Sequence, residues 1–345
     1  MAPTIKDIAK KANVSIATVS LVINDNKRIS PETKRKVNKA IKELNYHPSG
    51  SARGLVSGKT GNIGFILTDD HFLRSEPFYT RIFLGAEFEA REKQMYILLT
   101  TVPSEYKKGS KLPRFVLERN VDGIILVGKI PHQVIAGLKK YDLPLILIDY
   151  EIPMEDYPSF LIDNINGGMT ATKHLIDIGR KKIAFIAGDI QHPSLNDRFE
   201  GYKKALESSG IKFDPSICII DEDYPARDNG YKAAKKLLKK NKQVDAIFAC
   251  NDAMAIGVMQ YLKKKEIRVP EDIALIGFDD VESDILLEPP LSTMNVPKIE
   301  MGGEAVRLME QLLKKKVTTN KKVLVPVELI KRKSTVIENN IITGA

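Results

Sequence analysis

At 345 residues, with 43% hydrophobic and 28% charged side chains, the chain has the composition of an ordinary globular protein and the length for two or three domains. No apolar run approaches the ~20 residues that a bilayer crossing needs, and "MAPTIKDIAKKA" has no apolar signal core, so a cytoplasmic protein is expected. The net charge of +9 sits at one end: residues 1–60 hold twelve Lys or Arg against four Asp or Glu, a net of +8, and the remainder carries +1. A basic head on a near-neutral body predicts a polyanionic partner for the head.

Thr4 and Asp7 have capping-box spacing, with Asp in place of Glu, and open a helix whose apolar face is Ile5, Ile8, Ala9 and Ala12. Asn13 interrupts it. Ser15 can cap a second helix, "IATVSLVIN", with Val19, Val22 and Ile23 inward. Ser30 is a good N-cap and Pro31 suits a first helical position, so "PETKRKVNKAIKELN" is a third helix, burying Val37, Ala40, Ile41 and Leu44. Three short amphipathic helices, the first two joined by a tight turn, make a helix-turn-helix with a supporting helix. Its second helix would enter the major groove with Ile16, Ala17, Ser20 and Leu21 outward. Ser15, Thr18 and Asn24 are short polar groups suited to phosphates.

The next stretch, "SGSARGLVSGKT" at 49–60, has the glycines, Lys59 and Thr60 of a phosphate-cradling loop. Only three residues separate Gly54 from Gly58, where such a loop needs four, and a helix precedes the stretch where a strand should. A nucleotide site is not expected here.

From Asn62 onward, short apolar runs alternate with helical segments. The expected strands are "IGFIL", "MYILL", "GIILV", "PLILI", "SFLID", "IAFIA", "ICIID", "AIFAC" and "IALIG"; helices are expected near 80–92, 165–178, 197–208, 228–240, 252–265 and 299–315. Such alternation predicts parallel sheets with helices on both faces, and two sheets fit the count better than one. Ligands of such folds bind beyond the carboxyl ends of strands. Asp149, Asn251, Asp252, Asp279 and Asp280 follow expected strands, and Arg198 lies near the start of a helix. Asp and Arg suit vicinal hydroxyls, accepting and donating pairs of hydrogen bonds. Asp252, before "AMAIGVM", reads as a helix N-cap, and Asp163 as structural. Cys218 and Cys250 each sit in an apolar run, without metal or redox spacing, and read as buried free thiols. No Gly-x-Ser-x-Gly elbow, metal-binding His pair or dinucleotide fingerprint appears, so neither an enzyme nor a cofactor or metal is expected.

"TIKDIAKKANVSIATVSLVIN", "LNYHP" and "ARGL" resemble the head of the lactose-repressor family of bacterial transcription regulators (LacI/GalR), and the resemblance continues along nearly the whole chain. It implies an all-α helix-turn-helix head at 1–47, a hinge helix and linker at 48–60, and a body at 61–340. The body would have the type I periplasmic-binding-protein fold: two Rossmann-like parallel-sheet lobes, one about 61–161 plus 292–322, the other about 162–289 plus 324–340, with the chain crossing near 161–164, 289–293 and 322–325. The resemblance makes "SGSARGLV" a hinge that enters the minor groove, where Leu55 would wedge between central base pairs; Ala52 and Arg53 in the hinge, and Thr4 in the head, join the DNA-facing set. Ser49 stands where the family often has Asn. Leu21 stands where a guanine-reading Arg is common, and Leu cannot hydrogen-bond a base edge.

In the body the resemblance implies that Arg198 and Asp279 clamp an effector. Asp149 and Asn251 match sugar-contacting positions, His192, Ser194, Phe78 and Tyr79 match cleft-lining positions (the last two could equally be plain core), and Tyr224 would supply a stacking aromatic. The expected function is a sequence-specific repressor, a homodimer on double-stranded operator DNA, released by a sugar or oligosaccharide. The alternative is a corepressor-dependent regulator answering to a purine or a phosphorylated partner protein. The near-C-terminal "IENNIITGA" lacks a leucine heptad, which favours a dimer over a tail-joined tetramer.

Overall fold

The computed structural model describes residues 3–23, 28–46, 59–72, 77–107, 109–152, 155–240, 243–315 and 321–336. The expectations for Asn24, Ser49, Ala52, Arg53 and Leu55 therefore lie outside the described residues.

In the head, α1 (Ile5–Ala12), α2 (Ile16–Ile23) and α3 (Pro31–Glu43) pack around Ile8, Val19 and Val37, all fully buried. The Thr4 backbone N–H and hydroxyl both donate to Asp7 Oδ2, at 2.8 and 2.7 Å. This bond holds the Asp7 carboxyl below its ordinary pKa. Asn13, at φ 52°, makes the left-handed turn that frees α2 to start in a new direction. The Thr18 N–H donates to Ser15 Oγ at 3.1 Å and the Thr33 N–H to Ser30 Oγ at 3.2 Å, so each of these helices has its cap. Ile41 and Leu44 are half-buried rather than buried, because Tyr46, just past α3, fills that end of the core.

The body contains two parallel sheets. The first has strand order β11-β5-β4-β3-β1-β2, with β1 Asn62–Thr68, β2 Tyr96–Val102, β3 Gly123–Val127, β4 Leu145–Ile148, β5 Ser159–Ile162 and β11 Lys322–Val325. The second has order β7-β6-β8-β9, with β6 Ile183–Gly188, β7 Cys218–Glu222, β8 Ala246–Ala249 and β9 Ala274–Ile276. Runs such as GIILV and IAFIAG are buried at every position, as expected of strands covered on both faces by helices. The covering helices used below are α4 (Phe78–Glu92), α5 (His132–Leu138), α6 (Asn164–Asp177), α7 (Pro193–Ser208), α8 (Arg227–Lys240), α9 (Asp252–Lys264) and α10 (Lys298–Leu313).

All nine expected strands are present. Three more, β10 (Thr293–Asn295), β11 and β12 (Glu328–Ile330), were not legible, being three or four residues long and without an alternating pattern. β10 and β12 pair antiparallel, and bridges Ile276–Ser292 and Asp279–Asn295 join β10 to the second sheet. The chain therefore stays with the second sheet until about 295, later than the sequence estimate of 289–293. After β11, which belongs to the first sheet, it returns at about 326–327.

Two glycines let α6 and α7 approach closely. A Cβ on Gly168 would collide with the Arg198 carbonyl, and one on Gly201 with the Ile165 carbonyl. This contact fixes the helix that carries Arg198.

The "GKT" residues also find their place. Lys59 Nζ donates to the Leu313 carbonyl at 2.8 Å, at the end of α10. The Thr60 and Gly61 N–H groups donate to the Asp122 carboxylate at 2.7 and 2.8 Å, with the Thr60 hydroxyl on the same group at 3.0 Å. The stretch anchors the start of β1, with a Lys on a helix C-terminus, where a cation is favoured.

Candidate functional site

In each sheet the strand order reverses beside one strand, between β1 and β3 in the first and between β6 and β8 in the second. Such switch points open a crevice at the carboxyl ends of the strands. The two crevices face each other and form one cleft of about 680 Å³. Every effector residue expected from the sequence lines it: Phe78, Tyr79, Asp149, His192, Ser194, Arg198, Tyr224, Asn251 and Asp279.

Arg198 is buried on the first turns of α7, and all three of its guanidinium nitrogens are engaged. Nε donates to Asn164 Oδ1 at 2.8 Å, Nη1 to the Cys250 carbonyl at 2.6 Å, and Nη2 lies 3.3 Å from Asp279 Oδ1. Its plane rests on the Phe278 ring, 3.7 Å from the centroid. A planar fork with this many fixed contacts holds one orientation. Asp279 sits at φ 117° and Asp280 at φ 56°, both on the left-handed side of φ space. The Lys298 ammonium holds this turn by donating to the Asp279, Asp280 (3.1 Å) and Val296 (3.2 Å) carbonyls.

Asp149, at the end of β4, is also left-handed at φ 55°. Its Oδ2 accepts from the Tyr79 hydroxyl at 2.9 Å, and its Oδ1 lies 3.4 Å from Ser194 Oγ, which comes from the opposite side of the cleft. Phe78 and Tyr79 are both buried and meet edge to face at 4.9 Å, so they are core residues that also wall the cleft. The Tyr224 hydroxyl reaches the Asp70 carbonyl across the cleft at 3.4 Å. His192 occupies the N-cap position of α7.

One expectation is corrected. Asn251, not Asp252, caps α9: its Oδ1 accepts from the Met254 N–H at 2.9 Å while its Nδ2 donates to the Pro225 carbonyl at 3.0 Å. Asp252 turns inward instead and is fully buried, where Thr293 Oγ1 donates to it at 2.7 Å. Asp163 does cap its helix, accepting from the Asn166 N–H at 3.2 Å. Cys218 and Cys250 are free thiols; Cys250 is buried, and Cys218 is half-buried, with burial pushing its thiol up to about 11.

Sequence reasoning missed Asp70, Lys129, Glu155, Asp189 and Asp223 in the cleft lining. Asp70, Asp189 and Asp223 each follow a strand within two residues, so the strand-end rule could have found them. Among the described lining residues, the carboxylates Asp70, Asp149, Glu155, Asp189, Asp223 and Asp279 outnumber the cations Lys129 and Arg198. The lining is thus rich in paired acceptors and poor in positive charge, which suits a polyhydroxylated, uncharged ligand.

In the head, Ile16 (45%) and Leu21 (38%) are exposed on α2 beside exposed Ala17 and half-buried Ser20, while Val19 and Val22 are buried. The outward face is the one expected from the sequence. Ser15 and Thr18 also bond each other at 2.8 Å. Among the described residues, no helix is long and apolar enough to cross a membrane, and no group of three His, Cys, Asp or Glu could hold a metal ion.

Comparison with known proteins agrees with this geometry. The model described as "Bacterial regulatory proteins, lacI family" matches residues 4–49, and that of a periplasmic binding protein-like domain matches residues 172–335. The HTH-type transcriptional regulator RegA of Clostridium saccharobutylicum is 34% identical over 97% of this chain and 100% of its own. The transcriptional regulator CelR–cellobiose complex superposes with a TM-score of 0.72 at 30% identity, covering 96% of this chain and 99% of that one. The Lac repressor dimer bound to operator and the anti-inducer ONPF superposes with a TM-score of 0.80 at 25% identity, covering 98% and 100%. The chain belongs to the lacI family of bacterial regulatory proteins and is a DNA-binding transcriptional regulator.

Proposed function

We propose that the protein is a dimeric cytoplasmic repressor, not an enzyme, released from its operator by an uncharged sugar or oligosaccharide held in the cleft. One observation carries the reading. Asp149, reached by Tyr79 from its own lobe and by Ser194 from the other, lines a single cavity of about 680 Å³ together with the Arg198–Asp279 pair. A ligand bridging those groups touches both lobes, so its binding favours one lobe arrangement over another. The sugar complex of CelR and the operator complex of the Lac repressor support the two halves of this reading. The shortage of cations in the lining counts against a phosphorylated small molecule.

In this reading the head, 1–47, supplies Ser15, Thr18 and Asn24 to phosphates and Ile16, Ala17, Ser20 and Leu21 to base edges, with Thr4 also in the DNA-facing set. The hinge, 48–60, supplies Ala52, Arg53 and Leu55 to the minor groove. The basic head provides most of the affinity through counterion release. The test is calorimetric titration of the full protein with neutral sugars, sugar phosphates and nucleobases, followed by operator binding with each ligand that binds. A neutral sugar that weakens operator binding is the expected result. A purine that strengthens it would replace this reading with the corepressor one.

A further inference from the structure

Behind the Asp279 turn lie two carboxyl groups that the cleft does not use. Asp252, on the first turn of α9, and Asp284, in the short helical turn Glu282–Leu286, are both fully buried. Each accepts from the same backbone donor, the Val281 N–H, at 3.2 Å for Asp252 Oδ2 and 3.0 Å for Asp284 Oδ2. Asp252 Oδ1 accepts from the Thr293 hydroxyl, which in turn accepts from the Asp280 N–H at 3.3 Å. Asp284 Oδ1 is buried with no donor among the described residues. A Cβ on Gly277 would collide with Asp252 Oδ1, so the backbone presses directly on this carboxyl.

The nearby charges do not neutralise the pair. Arg332 is bound to Asp280 at 2.6 Å, Lys298 is engaged by three carbonyls, and Arg198 faces Asp279. Glu282, on the same turn as Asp284, points outward to Arg81. Two carboxylates side by side in a dry site cannot both ionise cheaply. The turn they support is the one that needs support, since Asp279 and Asp280 both hold positive φ, and such strain persists only where the surroundings over-determine it.

We propose that Asp252 and Asp284 share a proton and act as positioning residues, bracing Val281 and Thr293 so that the strained turn aims Asp279 into the cleft. The proposal rests on the reading of that cleft as the effector site. At neutral pH one proton bridges the two groups and the pair carries one negative charge. Burial, and then the neighbouring Asp284, raise Asp252 well above the carboxylate range. Burial pushes Asp284 up to about 6, against the opposing pull of Asp252, the Val281 N–H and Arg332. Acidification through 6 adds a second proton, removes the charge and weakens the bond from Val281, so the turn loosens and effector affinity falls.

The test compares wild type, Asp284→Asn and Asp284→Ala as full-length proteins. Affinity for cellobiose, maltose and D-glucose is measured by calorimetry from pH 5 to 7.5, and urea unfolding from pH 4 to 7.5. For the sugar that binds, wild-type affinity should fall about fivefold on acidification, since a charge-assisted hydrogen bond is roughly twice as strong as a neutral one. In Asp284→Asn burial keeps Asp252 protonated and position 284 carries no charge, so the variant should bind with the affinity of acidified wild type at every pH and show a flat profile; Asp284→Ala, which also loses the acceptor for Val281, should bind more weakly still. A wild-type inflection that survives in Asp284→Asn overturns the proposal. If none of these three sugars binds at any pH, unfolding alone decides the shared proton. A carboxyl raised on folding contributes stability that is complete below its unfolded pKa and is lost as pH rises through the folded one. Relative to Asp284→Asn, wild type should therefore lose about 100-fold in its folding equilibrium between pH 4 and 6; parallel profiles overturn the proposal.

Discussion

Arg198 and Asp279 meet at 3.3 Å with both side chains nearly excluded from solvent, although one stands on α7 and the other follows β9. The pair is held from outside: Asn164, the Cys250 carbonyl and the Phe278 ring fix the guanidinium, and Lys298 fixes the turn that carries the carboxylate. These contacts hold the donors and acceptors of the pair in one orientation.

Arg198→Ala or Asp279→Ala should leave operator binding intact and abolish the response to effector. Removing one member of a buried charged pair costs about 2–5 kcal/mol, largely because the other charge is left without its partner. Arg198→Lys should fail as well, because a single ammonium cannot reach Asn164, Cys250 and Asp279 together. Operator titration with and without saturating effector is the measurement, and a mutant that responds at the wild-type effector concentration would remove the pair from the effector site.

Asp149 can be separated into its backbone and side-chain roles. At φ 55° an Asn is tolerated, so Asp149→Asn should unfold close to wild type while binding effector more weakly. Asp149→Val places a β-branched residue in a left-handed conformation and should lose roughly 1–2 kcal/mol or more of stability. Thermal unfolding of both variants, with effector titration of the first, checks the division. Equal melting temperatures for the Asn and Val variants would mean that the turn relaxes freely.

Leu21→Arg should change preference at one symmetric pair of operator positions toward guanine. A bidentate Arg–guanine contact is worth roughly 1–3 kcal/mol of discrimination. Selection on randomised operators is the direct comparison. Identical preferences for the two proteins would show that this exposed position does not face the bases.

A body fragment should begin at Lys59 rather than after Thr60, because Lys59 and Thr60 hold the end of α10 and Asp122. Such a fragment should bind effector and fail to bind operator at physiological salt, since it lacks nearly all of the basic head. Asp122→Ala removes the acceptor for three half-buried donors and should cost about 1 kcal/mol, the low end of the range for donors left unsatisfied, because water can reach them. Full-length operator affinity should fall steeply with added salt. Operator binding by the fragment would overturn the division into head and body.

The sequence by itself determined the elements and the kind of protein. Thr4–Asp7, Ser15 and Ser30 announce three helix starts because a cap bonds within its own first turn, and both partners lie within three residues. The nine recognised strands are buried apolar runs, for which periodicity and length suffice. The strand-end rule, with the family resemblance, likewise put Asp149, Arg198, Asn251 and Asp279 at one cleft. Only the tertiary structure decided what each side chain does there. "Asn251-Asp252" contains two good capping residues in a row. Asn251 caps because Asp252 is drawn inward to Thr293, 41 residues away. The Tyr79–Asp149 bond spans 70 residues, and the anchoring of Lys59 on Leu313 spans 254. Local pattern cannot specify such partners, because a buried polar group must be satisfied by whichever group the closed fold brings near it.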